Sequence, residues 1–158
     1  MDLRLISDVN GAEGRWLTAY QDTGGLWTIG VGHLLQPQSK DWTAYTITPL
    51  QSNAWLADDL DEAQLEAAGL PEWKSLYGGT VCRQNALIEC IFNLGVGHWT
   101  TQFPKTRAAL LAQDWQMAHD HLLASPLWVR QVGIQRVTRL ANYFLWGAYP
   151  DSTPGVLK

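Results

Sequence analysis

Glu13-Gly-Arg-Trp-Leu-Thr-Ala-Tyr-Gln-Asp22-Thr-Gly-Gly-Leu-Trp-Thr28-Ile-Gly-Val-Gly-His33 is the stretch in which the chain changes its period. Ahead of it, residues 3 to 12 place Leu3, Ile6 and Val9 or Asn10 at helical spacing, and Gly14 stands where such a helix would end. Within it, Tyr20, Trp27, Thr28, Ile29 and Val31 favour strands on either side of the turn residues Asp22-Thr23-Gly24-Gly25, which predicts a hairpin. A three-residue loop at Gly24 to Leu26 would set Asp22 directly across from Thr28, so that hydroxyl and carboxylate share a water; a two-residue loop would not. The three-residue loop is the expectation.

Beyond the hairpin the pattern is helical. Thr48-Pro49 is an N-cap followed by proline at the first helical position, and apolar spacing through Trp55, Leu56 and Leu60 continues until Gly69 and Pro71 stop it. A helix of about twenty residues spans about 30 Å, enough to bridge two lobes. Its acids Asp58, Asp59, Asp61, Glu62 and Glu66 predict a largely solvated face. Thr80 is placed to cap a helix through Leu94 whose residues Ala86, Leu87, Ile88, Cys90, Ile91 and Phe92 predict burial on most sides. Shorter helices are expected at about 105 to 113 and 114 to 123, one opened by Ser125-Pro126, and a last one from about 134 to 146 before Pro150.

Composition excludes several classes. A chain of 158 residues with 46% apolar content can bury a core without staples. Its net charge of -4, with no cluster of Lys and Arg, argues against nucleic-acid binding. No stretch approaches the roughly 18 to 20 apolar residues of a membrane span, and Met1 to Asp8 lacks the apolar run of a signal peptide, so the expectation is a cytosolic product without an anchor. Cys82 and Cys90, if they share one helix, stand about 12 Å apart along its axis and are expected as free, buried thiols. His119 and His121, at i and i+2 on a helix, point apart with no third ligand nearby, so no metal is expected. Gly-Val-Gly-His occurs at Gly30 to His33 and again at Gly95 to His98 with different flanks, and neither copy supplies a dinucleotide fingerprint. The nine tryptophans are the oddity: core packing accounts for most, and a minority could stack on sugar rings.

The chemistry-bearing pattern is Glu13, Asp22 and Thr28, spaced Glu-x8-Asp-x5-Thr. Breaking a glycosidic bond needs a proton for the leaving oxygen and a carboxylate that helps water, or itself, reach the anomeric carbon. At a helix C-terminus the macrodipole disfavours a further negative charge, so Glu13 is suited to hold a proton. Asp22 beside turn amides would be hydrogen-bonded and ionised, which gives the divergent pair that acid and base roles require.

The same segment resembles the catalytic stretch of the T-even phage lysozymes, glycoside hydrolase family 24, in which a Glu, an Asp and a Thr at this spacing precede Thr-Ile-Gly-x-Gly-His, here Thr28 to His33. Leu34-Leu35 follow the histidine as in that family, Ala86-Leu87-Ile88 leading to Phe92-Asn93-Leu94-Gly95 resembles its central buried helix, and Ser125 to Arg139 is similar to its late helices. The region about 36 to 47 and the tail after Pro150 are unmatched.

The resemblance implies an α+β, mainly helical, lysozyme-like two-lobe fold. A small β-hairpin lobe (about 14–47) and a helical lobe (about 72–150, packed with helix 3–12) would be joined by the long helix at about 48–68, with the active-site cleft between the lobes. It implies Glu13 as proton donor, Asp22 as the carboxylate that positions or deprotonates water, and Thr28 as an aid on the same side of the sugar, with inversion at the anomeric centre. Leu34, Phe92 and Asn93 would contact sugar. His33 is expected to be a structural imidazole held by Asp59, and an arginine of the last helices, Arg136 in preference to Arg139, would pair with Glu13. The implied activity is hydrolysis of the β-1,4 bond between N-acetylmuramic acid and N-acetylglucosamine in peptidoglycan glycan strands, without metal or organic cofactor. A monomeric phage endolysin would accumulate in the host cytoplasm and depend on a holin-type membrane permeabiliser to reach the wall. The rival readings are a lytic transglycosylase, which needs no second carboxylate, and a non-catalytic peptidoglycan-binding module.

Overall fold

The computed structural model describes residues 2–77 and 81–150, apart from the side chains of Glu13 and Leu127. The expected cap Thr80 lies outside the described residues. The order of elements is α1 (Leu3–Glu13), β1 (Trp16–Gln21), β2 (Trp27–Gly30), β3 (His33–Leu34), α2 (Pro49–Ala68), α3 (Pro71–Ser75), α4 (Val81–Gln102), α5 (Pro104–Leu111), α6 (Trp115–Leu123), α7 (Pro126–Val132) and α8 (Ile134–Trp146). The fold is α+β and mainly helical, with its β structure confined to the first third of the chain. It divides into two units, Met1–Glu62 and Ala63–Lys158.

In the first unit α1 opens with Asp2, whose side chain accepts the Arg4 N–H at 2.9 Å, and closes at Gly14, where φ is 73°. The buried face of α1 is Leu5 and Val9, one turn apart; Leu3, expected on that face, is 81% exposed. The strands form one antiparallel sheet in the order β1-β2-β3, so the hairpin carries a third, two-residue strand that its length hid from pattern reading. β1 meets β2 at Trp16↔Gly30, then irregularly, then at Tyr20↔Thr28 and Gln21↔Trp27; β2 meets β3 at Thr28↔Leu34 and Ile29↔His33. Ala19, Ile29, Leu35 and Ile47 form the core under the sheet, with Leu17, Trp27, Trp42, Tyr45 and Trp55 packed around it. Gln38 closes the edge at Trp27: its Oε1 accepts the Trp27 N–H at 2.7 Å and its amide donates to the Trp27 and Leu35 carbonyls at 3.2 and 2.6 Å. Thr48 caps α2 through the Gln51 N–H (3.2 Å). Along α2, Leu56, Leu60, Ala63 and Ala67 are buried at helical spacing while Asp58, Asp61, Glu62 and Glu66 are exposed.

The second unit is built around α4, where Cys82, Ala86, Leu87, Ile88, Cys90 and Ile91 are all buried and neither cysteine is in a disulfide. Helical geometry breaks at Gly95 (φ 71°, ψ 151°), close to where the sequence predicts the central helix to end, and resumes through the buried Trp99. α8 packs on α4, α6 and α7, and α5 on α3 and α6, with Leu110, Leu122, Val137, Leu140 and Phe144 between them. Trp73, Trp99 and Trp128 are core residues, and Trp27, Trp42, Trp55 and Trp115 are half-buried.

Candidate active site

Two of the three chemistry-bearing residues lie at the end of the hairpin. The loop is three residues long but spans Thr23 to Gly25, so Asp22 faces Leu26, whose carbonyl accepts the Asp22 N–H at 2.9 Å. Thr28 stands across from Tyr20, not from Asp22. The reason is backbone conformation: such a loop places its last residue at positive φ, which Gly25 (φ 77°) adopts freely and Leu26 would not.

Asp22 and Thr28 nonetheless converge on the backbone of one residue, Leu26. Asp22 Oδ1 accepts the Gly24 and Leu26 N–H groups at 2.8 and 2.9 Å, while Thr28 Oγ1 donates to the Leu26 carbonyl at 3.0 Å. The carboxylate is therefore fixed through Oδ1, and the residue is half-buried. Thr28 is buried, with its hydroxyl proton committed to the turn. Glu13 is the last residue of α1, one position before Gly14; its side chain lies outside those described, so its pairing with Arg136 or Arg139 falls there too.

His33 and Asp59 are brought together. Nδ1 of the imidazole lies 3.0 and 2.9 Å from the two carboxylate oxygens, and the ring stacks on Trp55 with centroids 4.5 Å apart. The hydrogen bond to Asp59 holds the His33 pKa above the ordinary imidazole value despite half-burial. Leu34 is 46% exposed on β3. In the second unit Phe92 and Asn93 are half-buried, and the Asn93 amide donates to the Glu89 carbonyl at 2.8 Å.

Arg136 and Arg139 both bind Glu89, a carboxylate that pattern reading passed over inside an apolar helix. Arg136 Nε is 3.0 Å from Oε1, and Arg139 reaches both oxygens, at 2.6 and 3.1 Å. A second buried acid was also missed: Glu72 accepts from Arg107 at 2.6 Å and from the Trp99 indole at 2.8 Å. Burial pushes the Glu72 carboxyl up, but these donors outweigh it and hold it below the ordinary carboxylate range. The available signal for Glu89 is a lone acid within an otherwise apolar helix, which requires a buried cation; Glu72, in the short Pro-Glu-Trp-Lys-Ser helix, carries no such signal.

Comparison with known families settles the kinship. The sequence profile of the family described as phage lysozyme matches residues 10–142. The chain belongs to the phage lysozyme family. No curated protein matches it significantly. Membership in the phage lysozyme family points to a peptidoglycan hydrolase, a glycosidase acting on the cell wall. The family match takes in Glu13, Asp22, Thr28, the His33–Asp59 pair, Leu34, Phe92, Asn93 and Arg136. Among the described residues no helix is long and apolar enough to cross a membrane, and no group of His, Cys, Asp and Glu is arranged to hold a metal.

Proposed function

We propose that this phage lysozyme is a muramidase of the T-even type, glycoside hydrolase family 24, cleaving the β-1,4 bond between N-acetylmuramic acid and N-acetylglucosamine with inversion. The observation that carries the reading is the half-buried carboxylate of Asp22, fixed through one oxygen, Oδ1, by two backbone amides. In the proposed reaction Glu13, whose place at the end of α1 disfavours its charged form, gives its proton to the glycosidic oxygen as the C–O bond breaks. Water held at Asp22 Oδ2 attacks the anomeric carbon from the opposite face and passes its proton to that oxygen. Thr28 keeps the Leu26 backbone, and with it Asp22, in register, a positioning role rather than the shared-water role expected from the sequence.

Leu34, Phe92 and Asn93 are proposed sugar contacts, and His33 with Asp59 a structural pair. The biological setting proposed is host lysis, by a monomer held in the host cytoplasm until a holin-type protein opens the membrane.

The test is a turbidity assay on outer-membrane-stripped bacteria with wild type, Glu13→Gln and Asp22→Asn, followed by mass spectrometry of the digest. Both variants are expected to lose at least about 100-fold in rate, the upper range of losing a general acid or base being about 10⁴-fold, and the products to end in reducing sugars. Anhydro ends, or full activity in Asp22→Asn, would transfer the chain to the lytic transglycosylases. Binding without turnover that is indifferent to Glu13→Gln would make it a wall-binding module.

A further inference from the structure

Of the nine tryptophans, Trp16 and Trp146 are the exposed ones, each at 60%. Trp16 begins β1, the strand that leads to Asp22, and its ring centroid lies 5.7 Å from that of Tyr20. On an unbroken strand residues four apart are separated by about 13 Å. The rings meet because β1 is irregular between them. After Trp16↔Gly30 the register with β2 shifts, and over the same span β1 also bonds a further segment: the Leu17 carbonyl accepts the Ile47 N–H (2.9 Å), Thr18 bridges to Thr46, and the Ala19 N–H donates to the Tyr45 carbonyl (2.9 Å). The pairing is regular again at Tyr20↔Thr28.

Residues directly across from one another share a sheet face, so Tyr20, Thr28 and Leu34 form one row over the three strands. The core packs on the other face, through Ile29 and Trp27. The row therefore holds one of the proposed positioning residues and one proposed sugar contact, and the Trp16–Tyr20 pair extends it at the β1 side. A pyranose offers an apolar face of C–H bonds rimmed by hydroxyls, which matches a large exposed aromatic surface.

Resting on the muramidase reading, we propose that Trp16 and Tyr20 form an aromatic platform that stacks on a sugar ring of the glycan strand, a contact site in line with Thr28 and Leu34. Trp16 is the determinant and Tyr20 sets its angle. The platform binds glycan and has no part in bond cleavage.

Kinetics on soluble, peptide-free glycan strands of alternating N-acetylglucosamine and N-acetylmuramic acid test this. Trp16→Ala is expected to raise KM about tenfold, the loss of one aromatic stacking contact, while kcat changes less than about twofold. Trp16→Phe should recover most of the KM, and Trp146→Ala should resemble wild type. In Glu13→Gln the Trp16 indole N–H resonance should shift on adding the peptide-free strands and stay in place on adding isolated stem peptides. An unchanged KM in Trp16→Ala, or a resonance that follows the peptides instead, overturns the platform while wild-type turnover leaves the hydrolase reading standing. A wild type that cleaves neither strands nor whole wall overturns the hydrolase reading itself.

Discussion

Leu26 contributes little with its side chain, which is 42% exposed, yet its backbone organises the proposed site: the N–H holds Asp22 and the carbonyl holds Thr28. The residue types were legible in the sequence as a spaced Glu, Asp and Thr; the linkage was not, because it runs through backbone that any residue supplies. His33 and Asp59 illustrate the opposite case, a partnership that family spacing assigns and whose geometry is a bidentate approach of both carboxylate oxygens to Nδ1. Because the folded His33 pKa is raised, the pair contributes stability that is fully present below the unfolded histidine value of about 6.5 and is lost as pH rises through the folded one. Asp59→Asn should therefore lower Tm at pH 6 and progressively less toward pH 9, with turnover reduced less than stability. A His33 titration that ignores the substitution, followed by NMR, would remove the pair from any account of pH dependence.

At the scale of elements, the boundaries read well wherever a capping residue or proline marks them: Thr48-Pro49, Ser125-Pro126 and the Gly14 end of α1. Misreadings came where two conformations satisfy the same pattern. A three-residue hairpin loop can slide by one along Thr23 to Leu26, and only the positive φ assigned to Gly25 fixes it. The face of α1 expected on Leu3, Ile6 and Val9 or Asn10 keeps Val9, but its buried partner is Leu5, not Leu3. The irregularity in β1 had no local signal; along the same span β1 is also bonded to residues 45–47, which lie well beyond the hairpin in sequence. Gly95 marks the break in α4 with φ 71° and ψ 151°, a region almost closed to other residues, and a Cβ there would meet no atom within 4 Å. Gly95→Ala should accordingly cost about 1–3 kcal/mol from backbone strain alone, read by urea denaturation. Gly97→Ala, two residues on, with ordinary helical backbone and equally open space, should instead stabilise by about 0.5–1 kcal/mol. Equal effects at the two positions would mean that α4 straightens without penalty.

For the whole molecule the informative quantity is charge. Eleven Lys and Arg against fifteen Asp and Glu leave -4, and the most buried acids among the described residues, Glu72 and Glu89, have their cations inside the fold: Arg107 for one, Arg136 and Arg139 for the other. Those arginines are therefore not an unengaged basic surface for a wall polymer. Peptidoglycan is itself anionic through its stem-peptide carboxylates, so long-range electrostatics between enzyme and substrate is repulsive on net charge. With a Debye length of about 10 Å at 0.1 M salt, added salt screens that repulsion more than it weakens short contacts such as sugar stacking or hydrogen bonds to a ring. A protein that tracks a polyanion through Lys and Arg behaves oppositely, losing about 10³–10⁵ in affinity between 50 and 200 mM salt when it neutralises several charges. Over that range kcat/KM on purified peptidoglycan should hold steady or rise, with less than about a threefold decline. A drop of tenfold or more would show that a local basic cluster, not contact with the sugars, governs capture of the wall.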